Sequence, residues 1–537
     1  MSQELNNLLD PADDTVLYPI LKTLIENEEY PFLLTSKNGL KNIDSIQKIL
    51  TEAHNHGFYN RLAPRLEQIQ FLKEQIDSTF QIRSKDSTSH LLLAKLEKET
   101  LLAALAYHKT MNYGAVNPKT TFLSGYHLPV ILPDSSYYNE FFSSKEKLTL
   151  LNEAYPSHPK YKALQEYYTN WNTQSHDDWK ALPNLTVKKM EPNKKYRMVP
   201  LLRERFGLQP IIDSVDGKAV PNIVYDAEVV QQVKTFQANH GLKPDGIIGP
   251  ATHAALNTSP EERTEQIRAT LERFRWQLNT NKSDYILVNI PDYNLVYYEK
   301  GKALDTIIVV VGKKHPKNYY NFTAKDRPKY VRNYETPEFM DTMETVVINP
   351  KWNVPKSIST LEILPNVQAN PYYLLENNYR VFYGREEQPR DSVDWWMYTP
   401  EDFPYRIVQD PGAGNALGKI KFLFPNKHSV YLHDTPSKSY FYVDNRAQSH
   451  GCVRVREPDR LGALILKDNP IYKEFKDTDE YKIINVPERM QVTITYYTTW
   501  VDQKGVLQVR KDVYGKDKEL IDALSSVAED QLLAAVS

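Results

Sequence analysis

Near residue 285 the spacing of apolar residues in this 537-residue chain changes period, and the change splits the chain into parts that must fold differently. Before it the spacing is helical. Ile46, Ile49, Leu50 and Ala53 recur on one face after Asp44, which reads as an N-cap, and Gly57 supplies a stop. A longer helix is expected from Ser89 to Met111, with Leu92, Leu96, Leu102 and Leu105 on its apolar side, and another from Glu261 to Leu278. Nothing before about residue 185 has catalytic spacing, so that part reads as scaffold. After the change, short β-branched and aromatic runs alternate with turn residues: Tyr285–Ile290, Leu295–Tyr298, Thr306–Val311, Glu344–Asn349, Tyr405–Val408, Lys419–Phe424, Ser429–His433 and Gln491–Tyr497. They predict a mostly β domain. From Asn349 to about Asp410 the strand rhythm stops in an aromatic insert carrying Trp352, Tyr372, Tyr373, Phe382, Trp395 and Trp396. It reads equally as a lid or substrate groove and as a small subdomain with its own core.

The chain is too long for one core, so two to four domains are expected. With 66 basic and 68 acidic residues the net charge is −2, which excludes a global electrostatic hold on nucleic acid or anionic membrane. No run approaches the roughly 20 apolar residues of a transmembrane helix. Ser2 to Asp14 has neither the basic nor the apolar region of a signal peptide. A single cysteine, Cys452, rules out an intramolecular disulfide and a multi-thiolate metal site, and it raises the question of what this thiol does.

Between about 191 and 258 an amphipathic helix through Val229, Val230, Val233 and Phe236 precedes Asp245-Gly246-Ile247-Ile248-Gly249-Pro250-Ala251-Thr252 and a second short helix. Pro just inside a helix start and glycine at a turn are backbone chemistry, not catalysis. The run resembles the small three-helix peptidoglycan-binding domain, except for a longer segment, Asp213 to Tyr225, in its first half.

The chemistry concentrates in Tyr431-Leu432-His433-Asp434 and, with fifteen residues between His433 and Ser449, in Ser449-His450-Gly451-Cys452-Val453-Arg454-Val455. A free thiol titrates at about 8.5 and needs an imidazole nearby, itself held in orientation, to act as a nucleophile at neutral pH. His433 ends an apolar strand, and Gly451 permits a turn whose backbone N–H groups can converge on an oxyanion. A zinc site from His433, His450 and Cys452 has suitable residue types but no evident fourth ligand.

This pattern resembles the signature of the L,D-transpeptidase catalytic domain. Asn349-Pro350-Lys351-Trp352-Asn353-Val354-Pro355 and Pro411 to Phe422 are similar to segments of its large multidomain members. The resemblance implies an α+β multidomain chain: a helical scaffold over 1–190 completed by a helix at 261–280, a peptidoglycan-binding-like domain at 191–258, a catalytic domain at 282–515 with a capping insert at about 350–410, and a C-terminal tail at 516–537. It implies Cys452 as nucleophile, His433 as base, the Asp434 carbonyl orienting that base, and N–H groups around Gly451 and Cys452 as oxyanion donors. Arg454, Ser449, His450, Tyr431 and Trp352 are expected around the substrate, with His450 a rival base. The implied partners are peptidoglycan stem peptides and glycan, with carbapenem-type β-lactams as covalent inhibitors. No metal or organic cofactor is expected, and no nucleic acid. The implied location is the periplasm or cell envelope, with a signal peptide absent from this sequence. The implied reaction is formation of 3→3 cross-links. L,D-carboxypeptidase or endopeptidase chemistry at the same thiol, and an inactive envelope-binding protein, are the alternatives.

Overall fold

The computed structural model describes residues 2–9, 17–34, 39–58, 62–81, 87–277, 284–322 and 333–526. The chain divides into two compact units, Met1–Asn279 with Tyr497–Ser537, and Thr280–Tyr496.

In the first unit the long helix Ser87–Tyr113 lies in the apolar core, with Leu101 to Ala106 buried along it. Their alanine and leucine side chains, none branched at Cβ, allow the helices Gly39–Thr51 and Ala63–Gln81 to pack against it. Asp44 is not an N-cap: the helix starts a turn earlier because Ile43 is buried with Ile46 and Leu50, and Asp44 pairs with Lys73 at 2.5 Å. The helix Pro260–Trp276 opens on a reciprocal Ser259–Glu262 capping box and packs through Ile267, Leu271 and Phe274 on Tyr161, Leu164 and Tyr168 of the helix Tyr161–Asn172. Leu278 lies outside the described residues.

A separate small core gathers Leu182, Met190, Val199, Leu202, Val229, Val233, Ile248 and Leu256. It therefore begins before the expected boundary at 191, because Leu182 and Met190 are buried in it. Within it the buried Gln237 of helix Ala227–Asn239 holds the Asp245-to-Thr252 turn: its amide donates to the Ile247 carbonyl at 2.8 Å and accepts from the Gly246 N–H at 2.8 Å. The longer segment between the helices forms an exposed hairpin of β1 (Ile212–Val215) and β2 (Lys218–Pro221).

The second unit is built on strands β3 (Tyr285–Asn289), β4 (Asn294–Glu299), β5 (Lys302–Gly312) and β6 (Phe339–Ile348). An insert then contributes β7 (Trp352–Asn353), β8 (Tyr379–Tyr383), β9 (Glu386–Gln388) and β10 (Arg406–Gln409). After it come β11 (Ile420–Leu423), β12 (Leu432–His433), β13 (Ala447–Ser449), β14 (Val453–Val455) and β15 (Lys482–Thr495). The main sheet runs β13-β5-β14-β12-β11-β6-β15-β3-β4, and because β4 also pairs with β5 it closes on itself. Closure leaves no long edge unpaired.

The insert forms its own four-stranded sheet, β7-β10-β8-β9, around a core of Val354, Ile363, Leu364, Val367, Leu374, Val381 and Ile407. Tyr405–Val408, expected in the catalytic sheet, lies here instead as part of β10: Ile407 is buried in this core and pairs with Val381. Buried Asn415 ties the two stems of the insert, donating to the Pro350 carbonyl at 3.1 Å and the Asp410 carbonyl at 2.9 Å.

The expected end of the catalytic domain at 515 does not match the compact unit, which stops at Tyr496. Tyr497 joins the core of Tyr161 and Phe274 in the first unit, followed by the hairpin of β16 (Thr499–Val501) and β17 (Leu507–Val509). Residues 516–526 are not a tail. Leu520 and Leu524, four apart, put an apolar stripe on a helix, Lys516–Ser526, and Asp517 pairs with the buried Arg273 at 2.5 Å. Residues 527–537 lie outside the described set.

Candidate active site

Parallel pairing of β12 with β14 sets His433 beside Arg454 and Leu432 beside Val453, which brings the end of one strand next to the loop that precedes the other. That loop is Ser449-His450-Gly451-Cys452. Gly451 has φ +116°, a backbone conformation glycine adopts without strain. The Ser449 hydroxyl donates to the Cys452 carbonyl at 2.5 Å and accepts from the Gly451 N–H at 3.1 Å. The Gly451 carbonyl accepts from the Thr336 hydroxyl at 2.8 Å, and that hydroxyl accepts from the Gly312 N–H at 2.8 Å. The cysteine loop is thus tied to the end of β5 through one buried threonine.

The Gly451 N–H is therefore engaged by Ser449 and is not free to serve as an oxyanion donor, contrary to the sequence expectation. The Cys452 N–H has no hydrogen-bond partner among the described residues. Of the two, it is the donor left for an oxyanion.

His433 is buried, and its Nδ1 meets the Asp434 carbonyl. With Nδ1–H donating to that oxygen, the lone pair stays on Nε2, the tautomer a base requires. Burial, then the nearby Arg454, pushes the imidazole down to about 3, so it is neutral at physiological pH. The Asp434 carboxylate serves another purpose. It accepts from the Lys419 N–H at 2.9 Å and pairs with Lys438, holding the turn that leads into β11.

Cys452 is partly exposed. Its sulfur lies 3.6 Å from the Ser429 carbonyl. Burial raises the thiol above its ordinary value, while the Tyr431 backbone N–H, Lys421, the Tyr431 hydroxyl and Arg454 all act to lower it. At rest the thiol and the imidazole are accordingly both neutral, and the groups around the sulfur favour its thiolate form. Tyr431 also receives a hydrogen bond from Trp352, so the insert reaches the sulfur through these two rings.

Lys421 was not apparent from the sequence as a site residue. It pairs with His433 across β11 and β12, its Nζ lies 3.7 Å from the Tyr431 ring centre, and burial lowers its pKa. The signal available was alternation: Lys421 sits between Ile420 and Phe422, both buried, and so belongs to the other face of its strand. Arg454 has its Nε and Nη1 buried without a hydrogen-bond partner, and its guanidinium lies 5.6 Å from the Tyr440 ring. His450 is directed elsewhere: its Nε2 pairs with Glu362 of the insert at 2.9 Å and its ring meets Tyr334 edge-on at 4.7 Å. The structure thus gathers Cys452, His433, Asp434, Tyr431, Trp352, Ser449, Gly451 and Arg454 in one site, and gives His450 a bridging contact to the insert. Among the described residues no cluster of His, Cys, Asp and Glu has the grouping of a metal site.

The second unit is a closed β domain with an insert, and it carries Cys452 and His433 on neighbouring strand ends. Comparison with known proteins finds matches in both units. The family model described as "L,D-transpeptidase catalytic domain" matches residues 283–471. Those described as "Putative peptidoglycan binding domain" and "Scaffold domain" match 206–256 and 21–167. The chain is 33% identical over 241 residues to a protein of Haemophilus influenzae named "Putative L,D-transpeptidase", covering 44% of this chain and 45% of that one. The chain thus spans less than half the length of that curated relative. A solved structure of the L,D-transpeptidase from Xylanimonas cellulosilytica (residues 123–326) is 14% identical, with a TM-score of 0.18, covering 58% of this chain and all of that one. Residues 283–471 thus match the L,D-transpeptidase catalytic domain, and the similarity to the Haemophilus influenzae protein supports that family for this part of the chain. No described helix is long and apolar enough to cross a membrane.

Proposed function

We propose that the chain forms 3→3 peptidoglycan cross-links through a thioester on Cys452. The observation that carries this reading is the tautomer of His433: its Nδ1–H is committed to the Asp434 carbonyl, leaving Nε2 as acceptor for the thiol proton. In the first step Nε2 takes that proton as the sulfur attacks the carbonyl at the L-centre of the stem's diamino acid. The Cys452 N–H, which has no partner among the described residues, meets the oxyanion in this reading, and the proton passes to the leaving amine of D-Ala. The resulting thioester is then attacked by the side-chain amine of an acceptor stem, whose proton goes to His433 and back to the sulfur. Lys421, Arg454 and Tyr431 supply positive potential and hydrogen bonds where negative charge grows. Water in place of the amine would give L,D-carboxypeptidase activity with the same residues. The match at residues 206–256 supports peptidoglycan as partner, and with it a place in the cell envelope.

Incubation with a carbapenem followed by intact-mass measurement tests the nucleophile. The expected result is one covalent adduct on the unaltered chain and none on Cys452→Ala. An adduct that survives the substitution, or no adduct on folded protein, overturns the assignment. Tetrapeptide-containing muropeptides should then yield 3→3 dimers and D-Ala.

A further inference from the structure

Within the first unit lies a cavity of about 530 Å3 that no part of the acyl-transfer chemistry uses. Its walls come from several elements: Trp171 of helix Tyr161–Asn172, Trp179, Phe236 and His240 at the end of helix Ala227–Asn239, Arg263 of helix Pro260–Trp276, and Leu507 of β17. Only some of these fall in the segment matched by the peptidoglycan-binding family. The lining includes two arginines, Arg205 and Arg263, and no aspartate or glutamate.

Arg263 is 8% exposed. Its guanidinium meets the Gln266 side-chain oxygen at 2.7 Å and His240 Nε2 at 3.3 Å, both neutral groups; among the described residues no carboxylate forms an ion pair with it, and Glu262 acts on it only from further off. His240 is fixed as the neutral acceptor because its Nδ1–H donates to the Phe236 carbonyl at 2.8 Å. A buried cation with no direct ion pair is costly, since burial outweighs the more distant Glu262, and an incoming anion relieves that cost. The aromatic groups are set for contact. The Trp171 indole N–H is held by Thr264 at 3.0 Å, leaving the ring fixed, and Arg205 lies 5.1 Å over the half-buried Trp179 ring. Flat apolar faces beside an unpaired cation suit a ligand that carries sugar rings and a carboxylate together.

We propose that this cavity binds an anionic peptidoglycan fragment, with Trp171 and Trp179 against the sugar rings and Arg263 on a carboxylate of the stem peptide. The proposal rests on peptidoglycan as the partner, and not on the chemistry of Cys452. The full-length Cys452→Ala chain, titrated with a purified disaccharide-tetrapeptide by calorimetry and tryptophan fluorescence, separates the two. Arg263→Gln and Trp179→Ala introduced into that chain should each weaken one binding event by about ten- to a hundredfold. A neutral N-acetylglucosamine oligomer should bind more weakly and be indifferent to Arg263→Gln. Thermal melts identify a variant that fails to fold, and if Arg263→Gln does, the half-exposed Trp179→Ala decides. Unchanged muropeptide affinity in the folded variants, or equal affinity for the neutral oligomer, overturns the proposal while leaving the carbapenem result to stand on its own.

Discussion

Lys421 shows how a single side chain sets the reactivity of another residue across a sheet. The Cys452 thiol is raised by burial, and Lys421 is one of the groups acting in the opposite direction. Its own pKa is lowered by the same burial and is held up by the thiolate form of Cys452. Replacing it by methionine, which keeps the stem and removes the charge, should raise the thiol further. Alkylation of Cys452 by iodoacetamide, followed against pH, should then move to higher pH, and carbapenem acylation at neutral pH should slow by about tenfold. An unchanged alkylation profile would mean that Tyr431 and Arg454 alone set the thiol. That Cys452, His433 and Ser449 fall close together was legible in the sequence because each lies in a short run built around one turn and one strand end. Lys421, Thr336 and Glu362 were not, because each reaches the site through strand register or through the fold of the insert, and nothing next to them in the chain records it.

At the scale of elements, the strand carrying His433 depends on a turn. Gly418 precedes β11 with φ +60°, and a Cβ there would clash with the Asp434 carboxylate, which meanwhile holds the Lys419 N–H. Asp434 in turn supplies the carbonyl that orients His433. Gly418→Ala combines a strained backbone with a displaced carboxylate, so a loss of about 1–3 kcal/mol in denaturant stability is expected. Carbapenem acylation should fall more than stability alone explains, because the imidazole loses its fixed orientation. The succession of helical and strand periods was readable without coordinates, since each period reflects which face an element buries. The placement of Tyr405–Val408 was not. A four-residue run such as Tyr405-Arg406-Ile407-Val408 carries no mark of which sheet it joins, and here the buried pairing of Ile407 with Val381 decides it. The helix at 516–526 was missed for a related reason: Leu520 and Leu524 form a stripe too short to stand out until Arg273 gives Asp517 a buried partner.

Across the whole molecule, neutral histidines accumulate in dry places. His56 and His108 are pushed down to about 4, and His158, His240 and His433 to about 3, in each case first by burial. Unfolding returns each to about 6.5. Between those values the unfolded chain binds more protons than the folded one, so stability rises with pH across the window and is lost as pH falls below about 6.5. Each group contributes up to about 1.4 kcal/mol per pH unit within its own window. Four of the five lie in the first unit, and only His433 lies in the second. The first unit should therefore weaken more steeply on acidification. Tryptophan fluorescence cannot separate the units, since both carry tryptophans, but backbone hydrogen exchange resolved by peptide can. Between pH 6.5 and 4.5, protection in the helices Tyr161–Asn172 and Pro260–Trp276 should fall more than protection in β3, β6 and β15. Equal losses in both units would mean that the buried histidines find compensating protons or solvent before the fold opens.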